Sequence, residues 1–307
     1  MTLQQLEYII AVDCHRHFGK AAEHCHVTQP TLSAMIQKLE EELGVRLFDR
    51  GVQPIEPTSV GKKVIEQAQN VLKKTQHIKE IVDEEQGSIR GTFRLGILPT
   101  IAPYLLPRFY VKFMKLYPSL DIRMVEMKIS EIEIALVKGE LDAAIIATEP
   151  DNKHLKSETL YFEEFYGYVS TLEPIFQEKV IRTSDIKGKH LWLLEEGHCF
   201  RDQLVKFCNL EGLQSRVAYR LGSMETFMRM VESGQGITII PELALPQLNT
   251  CQQELVRPFG IPRPTREIRL VTKQDFVRHT LLNLLVKEIK NAVPESMLEI
   301  NNTQYLV

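Results

Sequence analysis

Residues 21–50 read AAEHCHVTQPTLSAMIQKLEEELGVRLFDR, two helical stretches parted by a Val-Thr-Gln-Pro break. Ala21, Ala22 and Cys25 are the small residues a helix carries where a second helix crosses it closely. Thr28 stands where its hydroxyl can cap the helix that Pro30 opens. From there Leu32, Met35, Ile36, Leu39 and Leu43 recur at steps of three and four, an apolar helix face. The start of the same helix offers Gln29, Thr31, Ser33 and Gln37, followed by Lys38, polar groups suited to base edges and phosphates. This is the layout of a helix-turn-helix, whose second helix enters the DNA major groove by its first turn.

Upstream, Leu6, Ile9, Ile10 and Val12 give a preceding helix its apolar face before the polar turn DCHRH. Downstream, RGVQPIEPTSVGK (50–62) reads as a wing, with Arg50 placed to reach phosphate. Residues 1–62 hold six basic side chains against eight acidic ones, so charge does not announce a nucleic-acid face. Glu40, Glu41 and Glu42 are expected at the far end of the second helix, away from its reading end. A structural helical bundle would share this pattern. Four of the nine histidines fall in CHRH and HCH beside Cys14 and Cys25, without the paired spacing of a structural zinc site, so no metal is expected.

From residue 59 to about 86 there is no proline and one glycine, Gly61. Val64, Ala68, Val71, Thr75, Ile78 and Val82 alternate steps of four and three, a short heptad seam with a Lys/Glu/Gln-rich opposite face. The expectation is a dimerising helix roughly 42 Å long, closed by the hinge EEQGSIRG. Paired heads imply a dyad-symmetric site on double-stranded DNA, an interrupted inverted repeat.

Beyond residue 90 strands alternate with helices. TFRLGIL, YLLPRFYVKFMKLY, DIRMVEM, EIEIALVKG and LDAAIIAT read βαβαβ. EEFYGYVS, HLWLLEE, RVAYRLGS and GITIIPE suggest a second α/β lobe, and REIRLVTK with a helix near 279–292 returns to the first. In SGQGITIIP the glycines precede a strand instead of opening a helix, unlike a nucleotide fingerprint. No P-loop or Ser/His/Asp order is found, and neither an enzyme nor a cofactor is expected. The 307 residues, 44% hydrophobic and 25% charged with a formal charge of −3, have ordinary soluble composition and room for several cores. No apolar run reaches membrane-spanning length, and MTLQQLEYII lacks the basic start of a secretory signal. With only five cysteines, the expected address is the cytoplasm, with no membrane partner.

Cys199 and Cys208 lie nine residues apart in EEGHCFRDQLVKFCNLEG (195–212), a segment that otherwise reads as a helix. On an intact helix that spacing is about 13.5 Å, whereas a disulfide needs Cα atoms closer than about 7 Å. A permanent staple therefore conflicts with helix, and two independent buried thiols remain one reading. The other is a sensor thiol. Cys199 stands at an expected helix start between His198 and Arg201, a setting that favours thiolate. Thr100, after the strand GIL, occupies the kind of strand end where ligands bind between lobes, or else caps the next helix.

The stretch quoted first, with PTSVGK (57–62), resembles the winged helix-turn-helix signature of LysR-type transcriptional regulators. The resemblance implies an N-terminal winged helix-turn-helix (1–58), a long dimerisation helix (59–87) and a C-terminal two-lobed α/β periplasmic-binding-protein-like regulatory domain (88–307). Lobe one is expected over about 91–162 and 267–307, lobe two over about 163–266. LLEEGHCFRDQLVKFCNLEG, GILPTIAPYLLP, GSMETFMRMVESGQGITIIP and REIRLV further resemble the hydrogen-peroxide-sensing members of that family, over nearly the full length. This implies a homodimer or homotetramer that controls antioxidant genes with RNA polymerase as a partner and hydrogen peroxide as signal. By the same resemblance Cys199 is the peroxide-reactive thiol, Cys208 its resolving partner, Thr100 and His198 pocket residues, and Arg266 a cation near the thiol. After VEM, where some relatives have a threonine hydroxyl, this chain has Ile129 and Ser130. A LysR-type regulator answering a small metabolite between the lobes is the alternative.

Overall fold

A computed structural model describes residues 1–186, 190–194, 199–208 and 223–307. The chain divides into two compact units, Met1–Gln86 and Gly87–Val307, each with its own apolar core.

In the first unit α1 (Leu3–His15), α2 (Phe18–His24) and α3 (Gln29–Leu43) precede a two-stranded wing, β1 (Phe48–Asp49) and β2 (Glu56–Pro57), and α4 (Ser59–Glu85). Thr2 and Gln5 cap α1 reciprocally, and the buried Gln5 amide donates to the Met35 carbonyl at 3.1 Å, tying α1 to α3. Thr28 caps α3 by accepting from the Thr31 amide, and Gly44 ends it at φ 69°. Leu32, Ile36 and Leu39 are fully buried, while Leu43 at the end of the helix is exposed. Gly61 lets α4 approach the wing, since a Cβ there would lie 2.0 Å from the Leu47 carbonyl oxygen.

The seam expected along α4 needs correction. Ala68 is buried in the head's own core with Ile65, so this seam position is already filled within one chain. The exposed stripe begins later, with Val71, Ile78, Ile81 and Val82.

The second unit contains β3 (Gly91–Ile97), α5 (Ala102–Leu116), β4 (Leu120–Glu126), α6 (Ile129–Val137), β5 (Ala143–Ile146), β6 (Leu155–Val169), the helical turn α7 (Thr183–Ile186) and β7 (Leu191–Trp192). These are followed by α8 (Cys199–Phe207), α9 (Met224–Glu232), β8 (Ile237–Pro241), the turn α10 (Thr250–Gln253), β9 (Val256–Pro258), β10 (Arg263–Lys273), α11 (His279–Ala292) and β11 (Gln304–Leu306). The nine strands form one sheet in the order β4-β3-β5-β10-β6-β8-β7, with β11 beside β10 and β9 beside β6. β3 pairs in parallel with β4 and β5, the geometry βαβ connections impose. EEFYGYVS proves to be the second half of the continuous strand β6, which pairs with β10 up to Glu164 and with β8 from Phe165. The two lobes thus share a strand. Gly236, at φ 82°, allows the chain to enter β8 against β7, where a Cβ would meet the His190 carbonyl oxygen at 2.6 Å. The expected strand RVAYRLGS falls almost wholly outside the described residues.

Candidate redox site and DNA-reading face

Cys199 is the first residue of α8 and Cys208 follows its last turn, its amide donating to the Leu204 carbonyl at 2.9 Å. Both thiols are free and buried, 7% and 2% exposed. An intact helix between them keeps the sulfurs apart.

Beneath Cys199 lies a built ionic network. Arg266 on β10 is fully buried, its Nε donating to Glu163 Oε2 at 2.9 Å and its Nη2 lying 2.7 Å from the same oxygen. Its other edge donates from Nη1 to Thr100 Oγ1 and from Nη2 to the Thr100 carbonyl, each at 3.1 Å. The guanidinium carbon lies 5.0 Å from the ring centroid of Phe200, the residue after the thiol, and 5.8 Å from that of Phe165. Glu163 Oε1 accepts from the Leu243 amide at 3.0 Å. A buried cation is tolerable because its charge is paired and its donors are used.

The balance at Cys199 corrects the expectation of a ready thiolate. Burial dominates and pushes the thiol up to about 11; Arg266 and the Phe200 amide pull it down, and Asp202 raises it further. The cation that lowers the thiol is Arg266; Arg201, two residues along the helix, faces a different way. Cys208, with no charge set against its burial, is pushed up to about 12. Thr100 is buried and does not cap α5, whose N-cap is Ile101; its hydroxyl is committed to Arg266 as an acceptor and retains its own proton to donate. His198 lies outside the described residues. Ser130 is exposed and Ile129 packs at the core margin.

Two residues at this site went unrecognised in the sequence. Glu163 is one; a glutamate pair inside the apolar run LYFEEFYGYV was the available signal, because a charge in a buried strand needs a partner. Gln203 is the other. It stands one helical turn after Cys199 on the same face, donates from Nε2 to the Ala147 carbonyl at 2.9 Å, and keeps its buried Oε1 without a partner among the described residues.

On the head, Thr28, Gln29, Pro30, Thr31, Gln37 and Lys38 are exposed at or after the start of α3, and Ser33 is half-buried. Arg50, expected to anchor phosphate, is partly exposed and already has partners within the head. It is drawn to Glu40 Oε2 at 3.1 Å, lies 3.5 Å from Ser33 Oγ and sits over the Phe18 ring. Glu40, in the last turn of α3, is nearly buried; its Oε1 accepts from the Leu47 and Phe48 amides and fixes the turn into the wing. Cys14 and Cys25 are free, His15 and His24 rings lie 4.9 Å apart, and no metal-holding cluster occurs among the described residues.

Residues 3–62 match the bacterial regulatory helix-turn-helix model of the lysR family, and residues 86–294 match the LysR substrate binding domain. The chain belongs to the LysR family of DNA-binding transcription regulators, built as a helix-turn-helix head and a two-lobed periplasmic-binding-protein-like domain. Its relatives include the hydrogen peroxide-inducible genes activator of Dickeya chrysanthemi, 36% identical over 88% of this chain and 89% of that one. Reduced OxyR from Porphyromonas gingivalis is 50% identical with a TM-score of 0.66, covering 70% of this chain and all of that one (100%). A full-length OxyR variant from Pseudomonas aeruginosa is 33% identical with a TM-score of 0.73, covering 94% and 98%. No helix among the described residues is long and apolar enough to cross a membrane.

Proposed function

We propose that this regulator answers hydrogen peroxide through a reversible bridge between Cys199 and Cys208. The Cys199 thiolate attacks one peroxide oxygen; an S–O bond forms, the O–O bond breaks and hydroxide leaves, to be protonated. Cys208 then attacks the sulfenic sulfur, forming S–S as the S–O bond breaks and water departs. Two thiols thus supply the two electrons that reduce peroxide to two waters. Thr100 offers a hydroxyl proton to the substrate, Gln203 Oε1 accepts from it, and Arg266 stabilises the anionic sulfur.

The observation that carries this reading is the placement of one buried thiol over the Arg266–Glu163–Thr100 network and a second at the far end of the same helix. The bridge requires α8 to unwind, a local rearrangement large enough to reset how two subunits associate. The exposed stripe Val71, Ile78, Ile81 and Val82 supplies a surface for a two-fold partner, placing two copies of α3 on an interrupted inverted repeat. Gln29, Thr31 and Ser33 read bases there while Thr28, Gln37, Lys38 and Arg50 meet the backbone, and RNA polymerase receives the output at antioxidant genes. Mass-spectrometric mapping of thiols before and after one equivalent of peroxide tests the proposal. A Cys199-to-Cys208 bridge is expected; both thiols remaining reduced would remove the function.

A further inference from the structure

The Gln203 amide is held by two separate pieces of chain. Its Nε2 donates to the Ala147 carbonyl at 2.9 Å and to the Val307 main-chain oxygen at 3.2 Å. Two acceptors at one end fix which way the amide faces, because only its nitrogen can donate. Oε1 is thereby turned away from both, buried and without a partner among the described residues. Ala147 follows the central strand β5, but Val307 follows β11, which pairs with β10 over three positions. Phe207, one turn beyond Gln203, adds a second tie: its ring lies 6.1 Å from Tyr305 on β11 and 6.1 Å from Phe259. Elsewhere the strand is held at a few points, one of them the Gln304 side chain, whose Nε2 donates to Glu164 Oε1 at 3.0 Å. The Val307 amide donates to the Thr265 carbonyl at 3.1 Å and the Arg263 amide to the Thr303 carbonyl at 2.7 Å, while Tyr305 and Leu306 stay 53% and 44% exposed.

We infer that β11 is a positioning element for the Cys199 reaction: it holds the Gln203 amide, and with it α8, so that Oε1 is presented on the thiol's side of the helix. The chemistry of this role rests on the peroxide reading; the coupling of β11 to α8 rests on geometry alone. β11 touches no reactant. Without it the amide keeps only the Ala147 carbonyl, so Oε1 meets an incoming peroxide O–H over a wider spread of orientations.

The test removes residues 304–307 from the otherwise full-length reduced protein. Cys199 is then timed against hydrogen peroxide and against iodoacetamide, an electrophile that needs thiolate and access but no such acceptor. A strand that merely covered the site would, on removal, let both rates rise. Positioning requires a split: iodoacetamide unchanged or faster, peroxide slower by at least about tenfold, as misplacement of a reacting group commonly costs. The two rates moving together, in either direction, overturns the proposal. Should the shortened chain not fold, Tyr305→Ala must give the same split in smaller measure. If the unaltered protein shows no preference for peroxide, the functional reading fails, and amide exchange decides the coupling by itself. Residues 203–207 exchanging about tenfold faster without β11 uphold it; unchanged protection removes it.

Discussion

A thiol pushed up to about 11 by its own burial is protonated near neutrality. The sign follows. Thiolate fraction, and with it the peroxide rate, should climb about tenfold per pH unit from 6 to 10 and level near 11. Stopped-flow kinetics over that range checks it, and a flat profile would show that Arg266 outweighs burial after all. Cys199→Ser should abolish the response, whereas Cys208→Ser should still form sulfenic acid and never the bridge; fast reaction lost only in Cys208→Ser would reverse their roles. Arg266→Gln strands the Glu163 carboxylate in a dry interior, and denaturant unfolding should report a loss of about 3–5 kcal/mol. Of this site, the spacing of the sequence singled out the two thiols, and the family resemblance singled out Arg266. The sequence could not disclose Glu163 or Gln203 as partners, because Arg266 meets a residue more than a hundred positions away through the pairing of β6 with β10.

At the scale of elements, α8 is the part that must give way. Amides of residues 203–208 should lose hydrogen-exchange protection on oxidation and keep it in Cys208→Ser; a bridge formed with protection intact would leave the chemistry and remove the switch. Helix starts and faces were readable because they are local: Thr28, Pro30 and the Leu32–Ile36–Leu39 spacing decide α3 within fifteen residues. Thr28→Ala should cost the head about 1 kcal/mol in thermal melts. Elements whose identity depends on distant partners were harder to read. The polar stretch KSET hid the first half of β6, since all four of its side chains are half-buried or exposed and show no alternation. Ala68 fits a heptad equally well whether it meets a second helix or its own domain, and only tertiary packing separates the two.

The whole molecule joins two separately cored units, one to bind DNA and one to carry the thiols. Ile78, 63% exposed on the α4 stripe, is the position at which pairing can be broken without touching either core. Ile78→Asp should lower the dimer fraction in analytical ultracentrifugation at an unchanged melting temperature; an intact dimer would place the interface elsewhere. Half-sites on one face of DNA lie whole turns apart, about 10 base pairs each. Inserting five base pairs between them should therefore sharply weaken binding, and unchanged affinity would exclude a rigid pair. The burial of both thiols also gives the signal a direction in time. On the proposed reading, a resting sulfur this enclosed would admit a small neutral oxidant ahead of bulky ones such as glutathione disulfide, so the protein would act as a sieve before it acts as a sensor. In the proposed bridged state α8 has come apart, so a reductant as large as another protein would reach the disulfide. Entry is narrow, exit is wide, and the lifetime of the message is set by whoever arrives to erase it.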